Sequence, residues 1–218
     1  MHNALKLAAL DFRTVKPYLA GKYLALMAAC LLVVGFTLKE PAIFVSIMML
    51  WGIMYCTYPF SIGEQGNLDT LYATLAVSRR DVVAGRYLYA LGIGLLAMAL
   101  AVISGILFAL PRQIPYGPDQ ALVQVGACMA VLVVLVSIQL PIYFKLGYAK
   151  AKMLAYLPMF GFLLFVPFGD MLEKPLAGMM LWISQNTLGF ALICSGACLG
   201  IFTLSYTISA RLYEKRDF

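Results

Sequence analysis

SIGEQGNLDTLYATLAVSRRDVVAGR, residues 61–86, is the longest polar interruption in a chain that is otherwise strongly apolar. Within it, four apolar residues recur at the i, i+3, i+4, i+7 spacing of one helix face: Leu68, Leu71, Tyr72 and Leu75. Side chains at that spacing form a stripe that a short amphipathic helix can bury. The stretch therefore predicts a short helix lying at a membrane surface between two membrane spans.

Polar residues on either side of this stripe mark where helices should begin. Asn67 stands at the expected N-cap, and Asp69 lies in the first turn, where negative charge suits the helix dipole. After the elbow of Ala76 and Val77, the run SRRD (78–81) has the capping-box spacing of Ser78 and Asp81. It predicts a second helix that continues directly into the membrane.

These residues together resemble the first cytoplasmic loop of ABC exporter permeases of the type-2 class. In that family an acidic residue and a glycine, here Glu64 and Gly66, precede a short coupling helix. An LPVSR element follows, here LAVSR at 75–79, and then a segment similar to VVAGRYL at 82–88. The loop departs from the family pattern at Ala76, where proline is usual.

The resemblance implies that this loop contacts a separate cytoplasmic ATPase. Glu64 and Arg79 would supply polar contacts, and an apolar wedge would enter a groove of the ATPase. The full set of coupling residues that the resemblance implies is Glu64, Gly66, Asp69, Leu71, Tyr72, Leu75, Val77, Ser78, Arg79, Arg80 and Asp81, with Leu71, Tyr72 and Leu75 as the wedge.

Composition indicates an integral membrane protein. The chain has 218 residues, of which 63% are hydrophobic and 12% charged. A span needs about 20 apolar residues. Six stretches qualify, so we expect an all-α, polytopic protein whose single transmembrane permease domain covers 1–218. The six are 18–38, 41–60, 87–110, 121–144, 153–169 and 187–210.

The basic residues predict the orientation. Six spans place both termini on one side of the membrane, and thirteen of the sixteen lysines and arginines fall on that side. The three others are Lys39, Arg112 and Lys174. By the positive-inside rule both termini and the 61–86 loop are cytoplasmic in the plasma membrane. The charge of +6 then lies close to anionic lipid, which disfavours a nucleic-acid partner.

Two further segments are expected at the membrane surfaces. Leu5, Ala8, Phe12 and Val15 follow helical spacing and predict an N-terminal interfacial helix, an anchor that in the similar family also helps to seat the ATPase. On the outer side, 171–186 is either a re-entrant helix or a loop that dips into the interface.

The predicted spans hold few groups that could do chemistry. Apart from Lys22, near the start of the first, none of them carries an Asp, Glu, Lys, Arg or His side chain, which disfavours proton-coupled transport. Gln124 and Gln139 on the fourth span are candidates for a substrate path, with helix-to-helix packing as the other interpretation. The five cysteines have no histidine or acidic neighbours, so we expect no metal site.

An enzymatic function is not expected. His2 is the only histidine and no GxxxxGK[ST] motif occurs, so ATP and Mg²⁺ would be bound by a separate subunit. The resemblance implies an ATP-driven exporter permease acting with that ATPase and with a second permease copy or paralogue, on a hydrophobic or amphipathic substrate such as a peptide, toxin, lipid or drug. Two alternatives remain open: the substrate-binding membrane subunit of a vitamin importer, and a non-transporting immunity or scaffold protein.

Overall fold

The computed structural model describes residues 2–19, 41–74, 77–113, 118–154 and 186–215, with isolated positions at 21, 25, 29, 33 and 157. These residues form helices and the turns between them. In chain order the helices are α1 (His2–Leu19), α2 (Pro41–Gln65), α3 (Leu68–Thr74), α4 (Arg79–Arg112), α5 (Pro118–Leu146) and α6 (Thr187–Glu214). A further helical segment covers 148–154. The all-α class is therefore confirmed for the described part of the chain.

Three of these helices are long and apolar enough to cross a membrane: they cover Arg79–Pro111, Val123–Leu146 and Gly189–Glu214. They contain the third, fourth and sixth predicted spans, and α2 contains the second. Nearly all of the first predicted span and of the fifth, together with the outer segment 171–185, lies outside the described residues. The count of six spans therefore stays a prediction.

The central element of the bundle is α4, which packs against α1, α2, α5 and α6. Small residues let these helices approach closely. A Cβ at Gly52 of α2 would lie 2.7 Å from the Cβ of Ala97, and one at Gly94 would lie 3.2 Å from Leu132 of α5. Both glycines are therefore needed for the observed spacing of α2, α4 and α5.

The N-terminal helix packs on the start of α4 by an equally close contact. A Cβ at Gly85 would lie 2.8 Å from the Cβ of Leu7 and 3.2 Å from the carbonyl oxygen of Ala4. The predicted stripe on α1 divides between the bundle and the surface, and its role as an interfacial anchor stays a prediction. Leu5 and Phe12 are exposed, and the most buried residues of α1 are Ala4, Asp11 and Val15.

Candidate functional site

The candidate site is the end of the bundle that carries residues 61–86, called the loop end below. It also includes the turn at 145–152 and the end of α6 at 211–215. Here α2, α3 and α4 follow one another with only short turns between them. α3 is therefore closely linked along the chain to two long helices.

A tight turn separates α2 from α3. The N–H of Gly66 donates to the carbonyl of Ile62 at 2.9 Å and ends α2, and Asn67 adopts a positive φ of 48°. Asn67 precedes α3 as predicted, and its carbonyl accepts the N–H of Leu71 at 3.3 Å. Its left-handed backbone is typical of a residue that ends a helix, whereas an N-cap has β geometry.

The predicted apolar wedge divides between the protein interior and its surface. Tyr72 is 6% exposed and belongs to the core, and Leu68 packs partly against the same core. Leu71 is 47% exposed. Leu75, Ala76 and the side chain of Asp69 lie outside the described residues. Leu71 is thus the member of the stripe that the structure shows available to a partner.

The start of α4 is where the sequence places it, without the predicted side-chain cap. Ser78 is the N-cap residue with extended backbone, but its hydroxyl makes no capping hydrogen bond. The carbonyl of Ser78 instead accepts the N–H groups of Asp81 and Val82 at 3.0 and 3.2 Å. The capping-box interpretation of 78–81 is therefore wrong for the side-chain bond and right for the helix boundary.

Two arginines bind the start of α4 to the end of α6. Nη1 of Arg79 donates to the carbonyl oxygens of Tyr213 and Glu214 at 3.1 and 2.7 Å. These carbonyls lie in the last turn of α6, where no further N–H is available within the helix. Nε of Arg80 lies 2.6 Å from Oε1 of Glu214 on the surface. Both contacts join parts of the chain that the sequence alone did not connect.

Glu64 makes the corresponding contact with the turn after α5. Gly147 ends α5 with a positive φ of 78°, and its N–H donates to Tyr143 at 2.9 Å. Oε2 of Glu64 then accepts the backbone N–H groups of Tyr148 and Ala149 at 2.5 and 3.0 Å. The carboxylate thus caps the N-terminus of 148–154, where free N–H groups and the helix dipole favour negative charge.

A buried ion pair that the sequence did not reveal lies beneath these contacts. Nε of Arg86 lies 3.2 Å from Oδ2 of Asp11, and both side chains are only 5% exposed. The guanidinium carbon also stands 4.7 Å from the centre of the Phe60 ring, a cation–π distance. Burial raises the pKa of Asp11 above its usual value, and the positive charge of Arg86 opposes that shift. The pair joins α1, α2 and α4.

A small cavity lies next to this pair, between α2, α4, α5 and α6. Its volume is about 20 Å³, and Gly63, Glu64, Arg86, Tyr143 and Tyr148 are among its lining residues. Nη1 of Arg86 is buried and has no hydrogen-bond partner in the described part of the protein. One water molecule fits this volume and could accept that N–H.

The two candidate substrate-path glutamines occupy different environments. Gln139 is 1% exposed, and neither atom of its amide has a hydrogen-bond partner among the described residues. Gln124 is half-buried, and its Nε2 lies 3.5 Å from Oγ of Ser46 on α2. Gln139 therefore does not line an open path in this conformation. Their role in substrate passage stays a prediction.

No metal site is found in the part of the chain that the structure covers, where no three His, Cys, Asp or Glu side chains come close enough to hold an ion. In the described part of the chain, the loop end is built from helix caps and ion pairs, and it exposes Leu71 of α3 and Leu146 at the end of α5. The nearby buried pair of Asp11 and Arg86 joins α1 to α4.

The described residues thus form a helical bundle with three helices long and apolar enough to cross a membrane, and a short helix lies between two long ones. The sequence profile of the family described as "ABC-2 family transporter protein" matches residues 6–214. The chain belongs to this family of transporter permeases, and the resemblance noted from residues 61–86 is confirmed. Membership of this family implies a partnership with an ABC ATPase subunit. No curated protein and no solved structure matches the chain.

Proposed function

We propose that this chain is the permease subunit of an ATP-driven exporter and that α3 is the element through which a separate cytoplasmic ATPase acts on it. The observation that carries this proposal is the exposed Leu71 on a seven-residue helix whose other face is packed into the core. One face is thus fixed to the permease and the other is presented to a partner. ATP and Mg²⁺ would be bound by the ATPase.

The contacts of Glu64 and Arg79 suggest how a force on α3 would spread. Glu64, just before α3, caps segment 148–154, and Arg79, just after it, binds the end of α6. We therefore assign these two residues a positioning role in addition to any contact with the ATPase. Movement of α3 would carry the turn after α5 and the end of α6 with it. The exported molecule would be hydrophobic or amphipathic, and two permease copies or paralogues would enclose its path.

The test is the Leu71→Asp variant, expressed together with the partner ATPase. A charge placed at an apolar interface contact should weaken ATPase binding by about 10- to 100-fold, because such contacts contribute roughly 1–3 kcal/mol. Gln65→Asp is the matched control, since it adds the same charge to an exposed position of the same loop. The measurements are copurification of the ATPase and substrate-stimulated ATP hydrolysis in nanodiscs.

The proposal fails if Leu71→Asp binds and stimulates the ATPase as the wild type does. Tight retention of a small vitamin by the purified chain would favour an importer subunit. If the chain binds the ATPase but no candidate substrate stimulates ATP hydrolysis, the chain would instead be a scaffold.

A further inference from the structure

Four of the described helices contain a proline, and in two of them, α2 and α5, the proline lies more than one turn before the last residue and leaves one backbone carbonyl without its helical partner. Pro59 lies inside α2 and Pro141 inside α5. A proline has no N–H, so the carbonyl four residues earlier loses its normal hydrogen bond. The affected carbonyls are those of Tyr55 and Ser137. In a membrane such groups must find another donor, because no water is available.

In both helices the replacement donor is a hydroxyl from a neighbouring helix. Oη of Tyr89 on α4 donates to the carbonyl of Tyr55 at 3.1 Å. Oγ of Ser205 on α6 donates to the carbonyl of Ser137 at 2.7 Å. Both hydroxyl-bearing residues are buried. At both of these prolines a hydroxyl from a neighbouring helix donates to the freed carbonyl, which indicates that the two hydroxyls are positioned for this bond.

The second of these bonds is also linked to α4. Ser205 has one hydroxyl hydrogen, which it gives to Ser137, so it must accept from Tyr87 across the 2.6 Å contact between their oxygens. Tyr87 has then used its own hydrogen and accepts from Ser209 at 2.8 Å. The chain of donors therefore runs from Ser209 through Tyr87 and Ser205 to the carbonyl that Pro141 frees.

Helix α4 is thus linked by hydrogen bonds to both proline sites, directly at Pro59 and through Ser205 at Pro141. Tyr87 and Tyr89 are two residues apart on α4, so their side chains leave the helix on opposite sides. Tyr89 reaches α2 directly, and Tyr87 reaches α5 through Ser205. α4 begins immediately after α3. A displacement of its first turns would pull on the hydrogen bonds at both prolines.

We propose that the hydroxyls of Tyr89 and Ser205 are latches that hold two proline hinges, at Pro59 and Pro141, in the conformation described here. A helix bends most readily where a hydrogen bond is missing, and the cross-helix bond fixes the bend. Release of the latches by movement of α4 would let the loop-end parts of α2 and α5 swing. The link to the transport cycle rests on the proposed function, whereas the latches themselves do not.

Double-mutant cycles on the purified chain test the latches. Tyr89→Phe removes the hydroxyl, and Pro59→Ala restores the N–H that the carbonyl of Tyr55 lacks. We expect Tyr89→Phe to raise the unfolding equilibrium constant by about 3- to 10-fold in the wild-type background, the size of an interhelical hydrogen bond in a membrane protein. The effect should largely disappear in the Pro59→Ala background. SDS titration in micelles, followed by tryptophan fluorescence, measures both.

The second hinge has the same design and its own controls. Ser205→Ala should cost clearly more with Pro141 present than in Pro141→Ala, where the only remaining loss is the acceptor for Tyr87. Tyr87→Phe should cost the same with and without Pro59→Ala, because its hydroxyl does not reach the carbonyl of Tyr55. Equal costs of Tyr89→Phe in both backgrounds would overturn the latch at Pro59, and equal costs of Ser205→Ala would overturn the one at Pro141.

A separate measurement decides the hinge role. Pro59→Ala should insert and bind the ATPase normally but lower substrate-stimulated hydrolysis at least several-fold, because a continuous helix resists bending. Wild-type stimulation in that variant would overturn the hinge. If the wild-type chain binds no ATPase, the proposed function fails, and the double-mutant cycles still decide whether the latches exist.

Discussion

Nε of Arg86 and Oδ2 of Asp11 lie 3.2 Å apart in the interior, although α1 and α4 are separated along the chain by α2 and α3. Taking two charges out of water is expensive, and each is tolerated only because of the other. The pair therefore fixes the position of α1 on the bundle. It also fixes Arg86 above the Phe60 ring, beside the proposed hinge at Pro59.

Removing one member of this pair should be strongly destabilising. We expect Asp11→Ala to lower the free energy of unfolding by about 3–5 kcal/mol, because it leaves the guanidinium of Arg86 buried and uncompensated. The double variant Asp11→Leu with Arg86→Met should recover most of that loss. Arg80→Ala, which removes a surface pair, is the control and should have little effect. Denaturant titration measures all of them, and a benign Asp11→Ala would mean that the pair is hydrated.

The loss of stability caused by Arg86→Met should become smaller as the pH falls. Burial raises the pKa of Asp11 and Arg86 lowers it, so loss of Arg86 raises that pKa further. Above this pKa the variant buries an unpaired carboxylate, and below it the carboxyl is neutral. The difference in stability between wild type and Arg86→Met should therefore shrink as the pH falls. A difference that grows with acidity would contradict the assignment.

Gly85 should be intolerant of any side chain. A Cβ there would lie 2.8 Å from the Cβ of Leu7, which cannot move without α1. We expect Gly85→Ala to cost about 1–3 kcal/mol and to increase protease access to α1. Gly92→Ala is the matched control on the same helix: nothing lies within 4 Å of its Cβ position, and stability should stay constant or rise by up to about 1 kcal/mol. Equal effects at both glycines would rule out the close contact.

The Glu64 carboxylate should protect the segment that it caps. Glu64→Ala should cost about 1 kcal/mol and speed hydrogen exchange of the amides of Tyr148 and Ala149, because their acceptor is lost. Glu64→Gln keeps an acceptor oxygen, so its stability and its exchange rates should lie between those of Glu64→Ala and the wild type. Gln65→Ala, at the next exposed position, should leave these amides unchanged. If the amides of 148 and 149 exchange as slowly in Glu64→Ala as in the wild type, the cap does not form in the membrane.

Topology can be checked without the partner. Reporter fusions after Asp119 and after Arg216 should give opposite signals, with the second cytoplasmic, because thirteen of sixteen basic residues fall on that side. A fusion after Arg216 leaves the contact of Arg79 with the end of α6 intact. Matching signals would mean that the number of spans between the two sites is even, in place of the predicted odd number.

The helices were predictable from the sequence because their signals are local. Long apolar runs gave the third, fourth and sixth spans, and the spacing of Leu68, Leu71 and Tyr72 gave α3. The direction in which each side chain points was less predictable. Tyr72 is buried in the core and Leu71 is exposed, because the burial of each residue depends on how the short helix packs on distant parts of the chain.

What the sequence did not predict depends on distant partners. The stripe on α1 was predicted from apolar spacing, which indicates no role for Asp11. Its burial depends on Arg86 and on the space that Gly85 leaves, neither of which has a local signature in residues 1–17. The roles of Glu64 and Arg79 as helix caps were missed for the same reason, since each binds a helix end far along the chain.

The hydrogen bonds between helices also affect which substitutions can be expected among homologous sequences. Arg79, Glu64 and Tyr89 each bind a backbone group of another element, and Ser205 binds one in addition to the Tyr87 hydroxyl. A backbone group is present whatever residue occupies the position. Substitutions at Tyr213, Ala149 or Tyr55 therefore need no change at Arg79, Glu64 or Tyr89 to keep these hydrogen bonds. Correlated variation between homologous sequences, which reveals contacts between side chains, would leave these links invisible, and they have to be found from coordinates.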